Sequence, residues 1–222
     1  MIIALMATLA NAYEVAYAET GDPHAWPTMP VYWQAHPSAR PAYIGEGDSN
    51  FAMYNAVAAW EEVDQVDISF VPVQPGNDSL VRNHISWTTP WPYPDDQLAL
   101  ATRWVTTDGR IQSFEIFVNA EREDWATDGF GHDLQAALTH EVGHGLGLEH
   151  SMDAEATMYP TTDEREVYRR YLATDDRQGA RFLYPPFENL GCQVAPAAQH
   201  GGWLAIVPAA LMLFGRRRRQ SS

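Results

Sequence analysis

Lysine is absent from this 222-residue sequence, and all 14 basic side chains are arginines. Positive charge is scarce overall, since 29 Asp and Glu residues oppose those arginines for a formal net charge of −15. A surface of that sign repels polyanions and removes the electrostatic footing that nucleic-acid binding needs, so no nucleic-acid partner is expected. Four of the arginines, Arg216 to Arg219, form one run near the C-terminus, which leaves the remaining chain more acidic still. Cysteine occurs once, at Cys192, which excludes an internal disulfide and a thiolate-ligated metal in the core. Long apolar runs are also missing. The two strongest, Met1 to Ala12 and Trp203 to Phe214, fall short of the roughly 20 residues that a spanning helix needs.

What is present suffices for one core. With 45% hydrophobic residues, the length fits a single domain of about 150 residues with tails. Met1 to Ala12 closes on Ala10-Asn11-Ala12, a small-residue cleavage pattern, so residues 1–18 read as an export signal cut there or after Ala18. Residues 19–186 form the expected folded domain and residues 187–222 a linker with a C-terminal anchor or sorting element. Met29 to Trp33 offers a first strand, and Ser49 to Val63 carries apolar residues at helical spacing. Val66 to Val73, Leu80 to Trp87, Leu98 to Val105 and Ile111 to Asn119 read as strands, with turns at Pro75 to Asp78, Pro90 to Asp96 and Thr107-Asp108-Gly109. Asp133 is a predicted N-cap for a helix through Val142, and Thr174 to Tyr184 predicts a last helix stopped by Pro185-Pro186.

The chemistry concentrates in His140-Glu141-Val142-Gly143-His144-Gly145-Leu146-Gly147-Leu148-Glu149-His150, which fits H-E-x-x-H-x-x-G-x-x-H at every fixed position. Positions four apart share a helical face about 6 Å apart, so two imidazoles can meet one zinc at about 2.1 Å each. Gly147 lets the backbone leave the helix sharply, through positive φ if required, and bring His150 round as third ligand. Three protein ligands leave a fourth position for water, as catalytic zinc sites do. Glu141 is the expected general base and acid for that water. The remaining histidines, His24, His36, His84, His132 and His200, have no partner at metal spacing; His132 sits just before the catalytic helix.

On these residues the sequence resembles the metzincin clan of metalloproteases, and within it the matrixins. Eight positions after His150, Met158 lies within Ala156-Thr157-Met158-Tyr159-Pro160, similar to the matrixin Met-turn, whose methionine forms an apolar floor under the ligands. Leu172, Asp175-Asp176, Gly179 and Leu183-Tyr184 look like the closing matrixin helix, with the paired aspartates in a structural role. The resemblance implies an α/β (α+β) fold: a twisted, mostly parallel sheet with an antiparallel edge strand, a long active-site helix and a C-terminal helix. Leu98 to Val105 would be the edge strand that pairs with extended substrate. The cysteine by which many matrixins hold latency has no counterpart upstream of the catalytic region, and no histidine-rich loop for a second zinc precedes residue 120. One catalytic Zn2+ is therefore expected; the acidic loops are compatible with Ca2+ but show no specific ligand pattern.

Past Tyr184 the order of Cys192, spacer, apolar segment and arginine cluster resembles bacterial, myxobacterial-type C-terminal sorting signals. The expectation is a secreted or surface-anchored bacterial monomer, associated transiently with a membrane through this tail, that cleaves protein or peptide substrates. Two alternatives stay open. One is a catalytically silent, zinc-stabilised binding module of the same fold, against which Glu141 argues because a structural site has no use for it. The other is a zinc hydrolase acting on a non-peptide amide.

Overall fold

The computed structural model describes residues 12–74 and 82–186, and the backbone of 209–215. Most of the expected export signal, the Pro75 to Asp78 turn, Cys192 and the Arg216 to Arg219 run lie outside the described residues.

The chain alternates strands and helices before the strands become consecutive: β1 (Val31–His36), α1 (Glu46–Glu61), β2 (Phe70–Pro72), β3 (His84–Thr88), β4 (Gln97–Val105) and β5 (Ile111–Asn119). Two short strands, β6 (Trp125–Ala126) and β7 (His132–Asp133), lead into α2 (Leu134–Gly145). β8 (Thr161–Thr162), a single 3-10 turn (Val167–Arg170), α3 (Thr174–Leu183) and β9 (Ala209–Gly215) complete the order.

β2, β1, β3 and β5 run parallel in that spatial order, and β4 joins antiparallel to β5, giving a mixed, mostly parallel sheet. Parallel strands buried on both faces read as apolar runs. β5 departs from that by alternating: Phe114, Ile116 and Val118 are buried on one face, while Glu115 and Phe117 between them are half-buried. α1 and α2 pack against each other, with Trp60, fully buried in α1, donating from Nε1 to the Thr139 carbonyl of α2 at 2.9 Å.

Several boundaries differ from the sequence reading. α1 begins at Glu46, three residues before Ser49, which lies inside the helix, buried, with its hydroxyl accepting the Trp87 indole N–H at 2.9 Å. β2 keeps only Phe70–Pro72 of the predicted Val66 to Val73 run, since only there does β1 offer a pairing edge. The predicted cap at Asp133 is present: its carboxylate accepts from Ala136 N at 2.9 Å and also binds the Arg170 guanidinium.

Beyond β4 the sheet continues. β9 pairs antiparallel to the outer edge of β4, and β8 pairs parallel to β9. The edge predicted to receive substrate is thus bordered by the chain's own C-terminal segment.

Candidate metal centre

Helix α2 presents His140 and His144 one turn apart, both about 1% exposed. The chain must then reverse at once to return a third imidazole. Gly147 does this at φ +106°, in the left-handed region, and a Cβ there would run into the His24 carbonyl oxygen. The three rings converge, with centroids 4.6 Å apart for His140 and His144, 4.9 Å for His144 and His150, and 5.3 Å for His140 and His150. Their ligand nitrogens all lie within 4.8 Å of one another, and no other such group of three occurs among the described residues.

The donor set fits a zinc ion by more than proximity. His140 Nδ1 donates to the Thr157 carbonyl and His144 Nδ1 to the Leu148 carbonyl, each at 2.8 Å. Those bonds fix the tautomer and leave both Nε2 lone pairs pointing inward. The two Nε2 atoms stand 3.0 Å apart, near the roughly 3.4 Å that two ligands of a tetrahedral zinc would show. Two facing lone pairs at that distance repel unless a cation lies between them. His150 Nε2 is buried with no hydrogen-bond partner, as a third ligand atom would be.

Electrostatics point the same way. Burial, followed by the neighbouring imidazoles, pushes His140 down to about 3 and His144 well below the usual histidine range; burial also lowers His150. All three stay neutral at physiological pH, the form that binds metal. Glu141 is fully buried and neither carboxylate oxygen has a hydrogen-bond partner. Burial raises its pKa well above the ordinary carboxylate value, and the nearby Ala101 backbone in β4 offsets this only in part. A buried carboxyl without a structural partner is where proton-transfer chemistry is found.

Met158 lies beneath the ligands. Its thioether and the Trp60 ring face Gly143, between His140 and His144, where a Cβ would collide with both. Its backbone is pinned by Asp176, whose carboxylate accepts from Thr157 N at 2.8 Å, Met158 N at 3.0 Å and Ala173 N at 2.8 Å. The adjacent Asp175 accepts from Ala12 N, Tyr13 N and the Ser151 hydroxyl. Both aspartates therefore hold backbone segments around the centre, in keeping with the structural role expected of them.

Sequence reasoning missed the groups that close the C-terminal end of α2. The carbonyls of His144, Gly145 and Leu146, which a helix end leaves open, accept from Arg103, Trp26 Nε1 and the Tyr184 hydroxyl respectively. Arg103 is 1% exposed and also pairs with Glu149, the neighbour of His150. Its signal was an arginine alone within the apolar β4 run, which a buried strand carries only when the charge is paired.

Of the other histidines, His36 Nε2 lies 2.8 Å from His84 Nδ1, a pair between β1 and β3 remote from the centre in the sheet order. His132 is buried beside α2, with Asp124 at 3.8 Å.

Comparison with known proteins agrees with this geometry. Residues 25–185 match the family model described as Matrixin. Over 152 residues the chain is 34% identical to human matrix metalloproteinase-20, covering 67% of this chain and 30% of that protein. It is 30% identical to human matrix metalloproteinase-26 over 135 residues, 60% of this chain and 50% of the relative. Interstitial collagenase of Oryctolagus cuniculus is 30% identical over 157 residues, 69% of this chain and 32% of the relative. The chain thus spans no more than half the length of these relatives.

Proposed function

The chain belongs to the matrixin family, and on that premise we propose that it is an exported, zinc-dependent endopeptidase of metzincin type. His140, His144 and His150 would hold one zinc ion, and Glu141 is the catalytic acid and base. The observation that carries this reading is the pairing of three inward-facing neutral imidazoles with a fully buried, unpartnered Glu141 carboxyl.

Zinc bound there supplies a Lewis acid that polarises the scissile carbonyl and brings a water pKa to about 7. The protein's own contribution begins with tautomer control by Thr157 and Leu148, which keeps two ligands aimed without cost at the moment of binding. Glu141 then accepts the proton of the attacking water and delivers it to the departing amine nitrogen, balancing hydrolysis of the peptide bond. Burial excludes competing water from that carboxyl and raises its proton affinity above that of an exposed carboxylate.

For substrates we propose proteins or peptides bound in extended form along the β4 edge, the β-augmentation mode. The side chain beside the scissile bond would meet the segment from Tyr159 to Ala173, where a cavity of about 180 Å3 lies between Tyr159, Thr161, Glu166 and Arg169. We further propose that the N-terminal segment directs export with the cut at Ala12 and not after Ala18, because Tyr13 to Ala16 are hydrogen-bonded to Asp175, Gly147 and Glu149 of the folded domain, and that residues 187–222 retain the enzyme transiently at a bacterial membrane before release, with the enzyme acting as a monomer. No helix among the described residues is long and apolar enough to cross a membrane.

A silent zinc module of the same fold is the competing reading. The unpartnered Glu141 weighs against it, because a structural site gains nothing from burying that carboxyl and bears its desolvation. Cleavage of unfolded casein decides between them, using the zinc-loaded full chain and a form ending at residue 190, the chelated proteins, and Glu141→Ala with its zinc content measured. Cleavage by zinc-loaded wild type alone supports the enzyme. Stoichiometric zinc with no cleavage of casein or of a peptide library by either form returns the reading to the module.

A further inference from the structure

The outer edge of β4 is a strand-binding slot, and the chain fills it itself. β9 lies antiparallel to β4 with Ala209 opposite Arg103, Leu211 opposite Ala101, Met212 opposite Leu100, Leu213 opposite Ala99 and Phe214 opposite Gln97. On its other side Phe214 and Gly215 run parallel to Thr161 and Thr162 of β8. The slot therefore has two walls of backbone donors and acceptors, one antiparallel and one parallel, and takes about seven residues of extended peptide.

The position of the slot matters as much as its shape. Leu211 pairs with Ala101 of β4, and α2, which carries Glu141, packs against β4. Arg103, the partner of Ala209, holds the carbonyl of His144. α2 itself lies against β9. The strand thus crosses beside the candidate metal centre, where an extended substrate would have to lie under the function proposed above, on which this inference rests.

We propose that Ala209 to Gly215 is an intramolecular occupant of the peptide-binding groove, and that the enzyme stays closed to substrate until this segment leaves. The recognition is by backbone pairing, which any extended peptide can replace, and by an occupant whose sequence, Ala-Ala-Leu-Met-Leu-Phe-Gly, carries no charge. A tethered strand acts at an effective concentration in the millimolar range. If the free strand binds at about 100 μM, external substrate sees an apparent KM raised about tenfold. Retention or removal of residues 187–222 would then set activity: the segment cannot both fill the groove and occupy a membrane or a processing enzyme.

Because alternate N–H groups of a strand point to the same neighbour, two consecutive prolines remove pairing whichever face is turned to β4. Leu211→Pro/Met212→Pro in the full chain therefore releases β9 without touching the core. Two measurements on the zinc-loaded proteins test the idea: peptide-cleavage kinetics, and amide hydrogen exchange across β4 read by mass spectrometry. The expected result is protection of β4 in the full chain, loss of that protection in the proline variant, and an apparent KM about tenfold lower with kcat little changed. A synthetic Ala209 to Gly215 peptide should inhibit the variant competitively. Equal β4 exchange in both proteins overturns the proposal, as does equal KM in the face of differing exchange. If exchange differs and neither protein cleaves any peptide, the strand assignment stands and it is the endopeptidase reading that fails.

Discussion

Arg103, on the strand β4, donates from Nη1 to the carbonyl of His144 at 2.8 Å, so a residue of the sheet fixes the helix turn that carries a candidate metal ligand. The same guanidinium reaches Glu149 next to His150, which ties both halves of the ligand set to β4. Arg103→Met keeps most of the apolar stem but removes one of the two donors to the buried His144 carbonyl, which then holds only the Gly147 N–H, and strips Glu149 of its guanidinium. Losing a hydrogen bond from a charged donor costs about 1.5–3 kcal/mol. The expected outcome is a lower Tm and at least tenfold weaker zinc binding by chelator competition, with kcat at saturating zinc reduced less than the affinity. An unchanged zinc Kd would show that the ligands hold their places without Arg103.

Gly147 is a position where only glycine fits, on two independent counts. Its φ of +106° is strained for any side chain, and a Cβ would meet the His24 backbone, which cannot rotate away. Gly147→Ala is expected to lose about 1–3 kcal/mol of stability and to displace His150, so zinc should bind through two histidines with much lower affinity. Gly21→Ala supplies the control, because Gly21 also has positive φ but nothing within 4 Å of the added carbon. Thermal unfolding and zinc titration of both variants separate backbone strain from the collision: if both lose zinc affinity equally, the collision with His24 is not what matters.

How much of this was legible from sequence follows from the range of the interactions involved. The convergence of His140, His144 and His150, with Glu141 beside them, was readable because helical spacing alone places three of the four, and one glycine places the last. The cap at Asp133 was readable for the same local reason. Arg103, Trp26 and Tyr184 were not, since each reaches α2 from a segment tens of residues away, and only the folded sheet brings them to its end. α1 was misjudged at its start because Ser49 reads as a cap in sequence, whereas it lies inside the helix with its hydroxyl accepting from the distant Trp87. The apolar run Trp203 to Phe214 reads as an anchor, and the pairing of part of it as β9 was not legible beside that reading, since an apolar stretch suits a strand as well as a bilayer and composition does not separate them.

Asp176 offers a test of how rigid the floor of the site must be. Its two oxygens accept from three backbone amides, those of Thr157, Met158 and Ala173. Asp176→Asn turns one acceptor into a donor facing an N–H. The expected cost is about 2–3 kcal/mol, from one lost charge-assisted bond and one opposed donor pair. Because Thr157 also accepts from His140 Nδ1, the loss should reach the metal: zinc affinity is expected to fall together with Tm. Asp175→Asn, which loosens Ala12, Tyr13 and Ser151 instead, should lower Tm while leaving zinc affinity nearly unchanged. Equal effects on the metal from both variants would refute the division of labour between the paired aspartates.

His132 sets an acid limit on the fold. Burial lowers its pKa below the usual 6.5, and the partly exposed Asp124 opposes that shift without cancelling it, as Glu164 and Asp163 do more weakly, while Arg122 adds to it. With the folded value below the unfolded one, the native state binds fewer protons than the unfolded state in the window between them. Stability must then rise with pH through that window, reach its full value above about 6.5, and be lost as pH falls below it. The cost has a structural address: a charged imidazole would sit buried, with Nδ1 unpartnered, next to Asp133, which caps the catalytic helix. His132→Gln keeps a polar side chain of similar reach and removes the titration. Tm measured from pH 7.5 to pH 5 should therefore fall more steeply for wild type than for the variant, the difference opening below about pH 6.5. The zinc ligands titrate in both proteins and cancel in the difference. Parallel curves would mean that His132 takes up its proton without strain, and that the acid sensitivity of the fold resides in the ligands alone.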